Sequence, residues 1–333
     1  MILDIIIPQY KEKEDEIKIL LDSIMNQKDV DFNNIYITIV NDKSDTLLSD
    51  EFINKYDKLH AKYLINDKNT GPGLARQKGI DNTLGDYITF IDSDDYLVND
   101  YVLSKVIKFI DKNNPKYIVT NIITKTLIND KLVNISKKGN ETMPWMHGKF
   151  YLRKHLEDNN IRFHDSIREL EDSYFTHCVI GTLKKEEIIF LDLDTVFWTI
   201  NEKSITRKKR QYPYIIDIFD EFFITAEYIY DYLYKHKSYL RYTFFINSLV
   251  ARYIILNSNL FDYEELQEKK NNYMNKLYEI IKTKRNIFRF FTKEQLLLLY
   301  KNEERTISLR NNIIRIDVDF NTFYAKVIEK NII

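Results

Sequence analysis

The chain has 333 residues, enough for a substantial core and two domains, and a formal net charge of −1. That balance supplies no global field to draw it to nucleic acid or anionic lipid. Its single cysteine, Cys178, excludes an intrachain disulfide framework and any multi-cysteine metal site. A reduced, cytoplasmic protein is expected, with Cys178 as a small core residue. The opening run Met1-Ile2-Leu3-Asp4 is strand-like, without a basic lead, extended apolar region or cleavage site, so no signal peptide is expected. No stretch reaches the ~18 uninterrupted apolar residues of a spanning helix. The nearest, Tyr242 to Leu256, carries Asn247 and Arg252.

Leu3 to Ile7 reads as a short apolar strand ended by Pro8, with Gln9-Tyr10-Lys11-Glu12 as the turn after it. Asp15 to Gln27 places apolar residues at 17, 20, 21, 24 and 25, the spacing of an amphipathic helix. Ile35 to Val40 is a second buried strand, ending in Asn41-Asp42-Lys43-Ser44-Asp45. Tyr63 to Ile65 is a third, followed by Asn66 to Asn69. Gly71-Pro72-Gly73 opens a helix through about Thr83, with Pro72 suited to the first turn. Tyr87 to Ile91 is a buried strand that stops abruptly in Asp92-Ser93-Asp94-Asp95. A helix from Tyr101 to about Asn113, closed by Pro115, and a strand from Tyr117 to Thr120 follow. Alternating β and α segments with polar strand ends predict an α/β fold with a mostly parallel, doubly wound sheet.

The acidic cluster carries the chemistry. Carboxylates crowded at the end of a buried strand repel one another and are costly to desolvate, so they call for a cation. Ligands of open α/β sheets sit beyond the carboxyl ends of the strands, and oxygen ligands suit Mg²⁺ or Mn²⁺ bound together with substrate phosphates. Asp-x-Asp recurs at Asp29/Asp31, Asp192/Asp194 and Asp317/Asp319, which read as surface or turn spacing; only Asp92/Asp94 follows a buried strand with partner segments upstream. Gly71-x-Gly73 is not a dinucleotide fingerprint, because Arg76 holds the third glycine position and the loop lies in the third β-α unit. Three strand ends speak to one ligand. Tyr10 could stack on a flat ring, Asp42 could accept from a base N–H, and Arg76 could neutralise phosphate. The bland alternatives are a turn-packing tyrosine, a turn-forming aspartate and a solvated arginine.

Ile5 through Glu12, Ile39 through Asp45, Asn69-Thr70-Gly71 through Ala75-Arg76, and Tyr87 through Asp95 together resemble family 2 glycosyltransferases, over Ile2 to roughly Ser204. The resemblance implies an inverting, metal-dependent enzyme with the GT-A fold. It implies donor contacts from Pro8, Tyr10, Asp42, Arg76, Asp92, Ser93 and Asp94. Tyr10 and Asp42 would meet the base, usually uracil, Asp92 the ribose, and Asp94 with Asp92 the metal bridging the diphosphate. The sequence departs at Asn41 and Lys43, where the family usually has Asp and Gly.

Trp145-Met146-His147-Gly148-Lys149-Phe150-Tyr151 begins the acceptor half, leading through Asn160-Ile161-Arg162-Phe163 to Glu169-Leu170-Glu171-Asp172. In the resembled family the Glu-Asp pair starts a helix and the aspartate is the catalytic base, which implies that role for Asp172. Inverting transfer needs a carboxylate to take the acceptor proton. The alternative is that Glu171 and Asp172 only complement a helix N-terminus. Trp145, His147 and Glu171 are candidate acceptor contacts. Arg207 and Lys208, after the late strand Phe197 to Ile200, are candidate diphosphate contacts or a solvated basic run.

From about Tyr212 the pattern changes, with helical spacing over Ile215 to Tyr234, Tyr239 to Leu256, Tyr263 to Lys282 and Lys293 to Tyr300, and a candidate strand from Ile313 to Val318. Residues 1–210 are expected to form the GT-A domain, with a donor half over about 1–120 and an acceptor half over about 121–210. Residues 211–333 form a mainly helical region, a candidate surface for homo-oligomers. Lys282 through Phe291 mixes bases with aromatics, suited to packing with a basic rim or to a peripheral contact with the inner face of the membrane. The expected activity is transfer of a hexosyl or N-acetylhexosaminyl group from a UDP-sugar to a hydroxyl acceptor, a surface glycan, with Mn²⁺ or Mg²⁺. The other readings are a catalytically silent nucleotide-sugar-binding module, a transferase acting on nucleic acid or protein, and a nucleotidyltransferase.

Overall fold

The computed structural model describes residues 1–128, 131–199, 214–310 and 314–330. The chain divides into two compact units, Met1–Lys209 and Arg210–Ile333.

The first unit is built on a nine-stranded sheet in the order β3-β2-β1-β4-β8-β6-β9-β5, with β7 paired to β6. Strand β1 (Leu3–Gln9) is central to its parallel half, flanked by β2 (Ile35–Asn41) and β4 (Tyr87–Phe90), with β3 (Lys62–Ile65) beyond β2. The long strands β6 (Tyr117–Ile128) and β9 (Ile188–Trp198) share that direction, whereas β5 (Tyr96–Leu97), β7 (Lys131–Lys137) and β8 (Lys149–Leu152) oppose it. The sheet is thus mostly parallel in strand direction, as the alternating pattern predicts. Leu3, Ile5, Ile6 and Ile7 are all fully buried, as expected of a strand covered on both faces. Helix α1 (Glu14–Met25) lays Ile17, Leu20, Leu21 and Ile24 against one face, and α2 (Asp50–Asn54), α3 (Pro72–Asp81), α4 (Val102–Asn113), α5 (Arg153–Asp158) and α6 (Glu171–Gly181) follow in chain order. The Glu16 carboxylate closes its first turn by accepting from the Lys13 N–H at 2.9 Å.

Three strand boundaries differ from expectation: the strand expected to begin at Phe197 is the end of β9, which begins at Ile188, and two others differ for physical reasons. Strand β1 continues through Pro8 and Gln9, opposite Val40 and Asn41. Even-numbered residues of β1 bond toward β4, where the Ile2 and Ile6 carbonyls accept from Tyr87 and Ile91. The β1–β4 register ends at Ile6 opposite Phe90, so no ladder bond is asked of Pro8. Strand β6 runs on past Thr120 to Ile128 and returns as β7, an extension the polar residues Asn121 and Lys125 conceal in the sequence.

The second unit is helical: α7 (Tyr214–Asp217), α8 (Phe219–Lys235), α9 (Arg241–Leu256), α10 (Gln267–Thr283), α11 (Lys293–Arg310) and α12 (Phe320–Phe323). Helix α9 is its axis, with Phe245, Ile246, Leu249, Val250, Tyr253 and Ile254 buried and α8, α10 and α11 packed around it. Arg252 is fully buried there, donating to the Ser248 carbonyl at 3.0 Å and lying 3.3 Å from Glu227, with its guanidinium over the Phe223 ring. The region expected as a late strand forms only one bridge, Ser258 to Ile316, among its described residues. No helix of the described residues is long and apolar enough to cross a membrane.

Candidate functional site

The register of β1 with β2 and β4 brings three carboxyl ends side by side, and the loops beyond them hold Tyr10, Asp42 and Asp92–Asp95. Helix α3 (Pro72–Asp81) and helix α6 (Glu171–Gly181) supply Arg76, Glu171 and Asp172. The loop before β8 supplies His147.

Arg76 is buried at the centre. Its Nη2 donates to Asp92 Oδ1 at 2.7 Å and its Nη1 to Glu171 Oε1 at 3.0 Å, while its Nε is buried with no hydrogen-bond partner among the described residues. Burial disfavours the guanidinium charge, but Asp92 and Glu171 outweigh it and hold Arg76 firmly protonated. Arg76 therefore welds the strand-end aspartate to the helix that carries the candidate base, a role not visible in its spacing. Gly73 makes this approach possible: a Cβ there would lie 2.8 Å from the Glu171 side chain. Gly71, at φ +88, starts the helix in a conformation that favours glycine.

On the other side of Asp92, His147 Nε2 lies 3.3 Å from Asp92 Oδ2 and 3.2 Å from Asp95 Oδ2, ion-pair distances without hydrogen-bond alignment. His147 Nδ1 is buried without a hydrogen-bond partner among the described residues. Burial opposes charge on the imidazole, yet the two carboxylates raise it to about 10. Burial likewise opposes ionisation of Asp92, but Arg76 and then His147 hold it below the usual carboxylate range. Asp95 is pushed up to about 6 by burial, against the pull of His147. Its Oδ1 accepts from the Thr199 N–H at 2.8 Å, leaving Oδ2 toward His147.

Asp92, Asp95 and His147 place ligand atoms within 4.8 Å of one another; once a cation displaces the His147 proton, these oxygen and imidazole donors fit a divalent ion such as Mn²⁺. Asp94 is half-buried beside them, its charge felt by Asp95 and by Glu12. Ser93 is buried, close enough to the Glu12 carboxyl to favour its ionised form. Asp95 had no assigned role in the sequence; its place directly after Asp94 at the same strand end was the available signal.

Glu171 and Asp172 open α6. Burial first, and the Asp172 charge second, raise Glu171 to about 7. Asp172 is half-buried and accepts from the Ser173 N–H at 2.6 Å; burial raises its carboxyl against the Arg76 charge.

Lys149 went unassigned in the sequence. Its side chain is buried, with Nζ donating to the Thr142 carbonyl at 2.9 Å, the Thr142 hydroxyl at 3.2 Å and the His147 carbonyl at 2.9 Å. These bonds close the loop that presents His147. Burial lowers the ammonium to about 7, against the Asp172 charge. Nothing in its local spacing signals this. Trp145 in the same loop packs on Trp198, ring centres 5.2 Å apart.

Beyond the ends of β1 and β2, Tyr10 is 45% exposed, its backbone N–H donating to Glu12. Asp42 is buried; its Oδ1 accepts from Asn66, the Thr70 N–H and the Thr70 hydroxyl, and its Oδ2 from the Gly71 N–H at 2.7 Å. It organises the 66–71 loop and keeps spare acceptor capacity on Oδ2. Pro8 lies on β1 opposite Val40. Of the two departures near it, that at Asn41 has a structural reason, and that at Lys43 keeps a backbone that glycine would suit. Asn41 donates its amide to the Thr46 carbonyl and the Tyr63 hydroxyl, which a carboxylate cannot do, and Lys43 has φ +57, the left-handed region that favours glycine. Arg207 and Lys208 lie outside the described residues.

The sheet, the acidic strand end and the Glu-Asp helix start define a GT-A glycosyltransferase. A solved structure of Staphylococcus aureus TarS residues 1–349, in complex with UDP-GlcNAc, superposes with a TM-score of 0.65 at 20% identity, covering 96% of this chain and 97% of that one. The model of Glycosyl transferase family 2 matches residues 4–167. An uncharacterized glycosyltransferase of Haemophilus influenzae is 30% identical over 196 residues, 56% of this chain and 75% of the relative. This chain belongs to glycosyl transferase family 2. Longer relatives match only in part. Glycosyltransferase GlyA of Streptococcus pneumoniae is 38% identical over 101 residues, 30% of this chain and 14% of GlyA. The TarS of S. aureus, a poly(ribitol-phosphate) beta-N-acetylglucosaminyltransferase, is 26% identical over 186 residues, 53% of this chain and 32% of TarS. The chain thus spans well under two thirds of these two relatives.

Proposed function

We propose that the chain transfers a hexosyl or N-acetylhexosaminyl group, with inversion, from a UDP-sugar to a hydroxyl of a surface glycan. The observation that carries the reading is the buried Arg76, which ties Asp92 at the end of β4 to Glu171, the neighbour of Asp172. The likeness of fold to TarS residues 1–349, solved in complex with UDP-GlcNAc, supports the donor class. Tyr10 and Asp42 face the base, and Asp92 and Ser93 the ribose. Asp94 and Asp92, with Asp95 and His147 beside them, would hold Mn²⁺ or Mg²⁺. Such an ion, when bound, stabilises charge on the diphosphate. Asp172 takes the acceptor hydroxyl proton as that oxygen bonds the anomeric carbon, while the bond from that carbon to the diphosphate breaks on the opposite face. Its raised carboxyl suits a base at neutral pH.

The test is a panel of nucleotide sugars assayed with Mn²⁺, Mg²⁺ or EDTA. UDP release from one donor that needs the metal and is lost in Asp94→Ala is the expected result. Asp172→Asn should abolish transfer while leaving UDP-sugar binding within about threefold, since general-base contributions are about 10²–10⁴-fold. Near-normal turnover by Asp172→Asn overturns the base assignment. No binding of any nucleotide sugar overturns the whole reading.

A further inference from the structure

The helical unit carries a feature that sugar transfer does not use. The α8–α9 turn and the turn Arg285–Phe290 after α10 meet at one surface, where Phe290 stacks on Tyr242 with ring centres 4.5 Å apart and planes 10° from parallel. Phe290 remains 61% exposed and Tyr239, in the α8–α9 turn, 57% exposed. The Arg241 guanidinium lies over the other side of this stack, 4.5 Å from the Tyr242 ring centre, and bonds the Lys237 and Ser238 carbonyls. Arg285, at the start of this turn, and Arg289, directly before Phe290, are exposed. Neither they nor Arg241 forms an ion pair among the described residues, whereas the neighbouring Lys282 and Lys284 are paired with Glu279 and Asp231. Glu279 and Asp231 are thus matched by lysines, and three guanidinium groups stand without an acidic partner on a surface that also shows two exposed rings.

We propose that this surface, centred on Phe290, docks on an anionic phospholipid bilayer. A soluble polyanion would satisfy the arginines but gives no reason to hold two large rings out in water. A bilayer interface takes both, with rings at headgroup depth and guanidinium groups on lipid phosphates. Near-neutral net charge does not oppose this, because attraction to a charged bilayer is set by residues within a Debye length of it. The inference is independent of the donor, the metal and the transfer step.

The experiment is co-sedimentation of the full chain with vesicles of phosphatidylcholine alone or with about 30 mol% phosphatidylglycerol, comparing wild type, Arg285→Glu/Arg289→Glu and Phe290→Ser. Wild type should sediment with the anionic vesicles and stay in solution with the neutral ones. The charge-reversed variant should bind at least about tenfold more weakly, from roughly 1 kcal/mol per basic residue near the surface. Phe290→Ser should also weaken binding, with far-UV circular dichroism and melting temperature unchanged for both. Wild type that ignores anionic vesicles, or variants that bind them like wild type, overturn the proposal. Binding of soluble polyphosphate together with vesicle binding indifferent to Phe290→Ser identifies a polyanion site instead, and overturns it as well.

Discussion

Two carboxylates held next to one another at the start of α6 must respond to each other's charge. Under the proposed chemistry the rate falls on the acid side as Asp172 is protonated, and its raised carboxyl puts that limb above the ordinary aspartate range. Glu171→Gln removes a like charge and frees Arg76 toward Asp172, so the acid limb should move to lower pH; a limb that stays or rises in a rate–pH profile refutes the coupling. Lys149 gives a stability prediction with its own sign. Its folded-state value is about 7 against an ordinary 10.5, so between those values the unfolded chain holds more protons and wild-type stability rises with pH. The penalty on the buried ammonium is fully present below about 7 and relieved toward 10.5. Lys149→Met lacks this slope. Urea unfolding at about pH 6 and about pH 9 should show the variant losing ground to wild type at the higher pH. The acidic cluster was legible in the sequence because charge at the end of a buried strand is conspicuous, and Asp172 was singled out by the family resemblance. Lys149 was not, since one lysine in an apolar run looks like any other until Thr142 and the His147 carbonyl fold around it.

Helix α3 shows how an element is seated by what a residue lacks. Its Gly79 lies so close to β1 that an added Cβ would stand 2.4 Å from Ile6 Cγ2. Gly79→Ala should therefore destabilise the first unit by about 1–3 kcal/mol despite the better helix propensity of alanine. Ile6→Ala removes the opposing methyl, so the double variant should be less destabilised than the sum of the singles in urea unfolding; strict additivity would show that the two do not meet. The same helix fixes Arg76, so its seating reaches the site. Periodicity marked α1, the Gly71-Pro72-Gly73 opening marked α3, and apolar runs marked β1 to β4, because strands buried on both faces read as apolar runs. Most of β9, with Asp192 and Asp194 within it, went unread. The antiparallel members β7 and β8 also escaped, being short or mixed in polarity, with pairing made by residues far away in the chain.

At the scale of the molecule, the two units have separate apolar cores: one runs through the sheet from Leu3 to Val196, the other through the helices from Ile216 to Ile328. A chain of residues 210–333 expressed alone should therefore be helical by circular dichroism and melt cooperatively, since a domain with its own core can fold independently. A non-cooperative, molten fragment would contradict that. The sequence by itself determined the α/β class of the first part, the helical character of the second, and the family, because these rest on local periodicity and on short motifs at strand ends. Tertiary structure decided what the motifs do to one another. It set Arg76 between Asp92 and Glu171, brought Asp95 and His147 together, buried Lys149 under the site loop, and left Arg241, Arg285 and Arg289 unpaired beside Phe290. Such pairings depend on which side chains are desolvated together, and burial is a property of the folded chain that no local stretch contains.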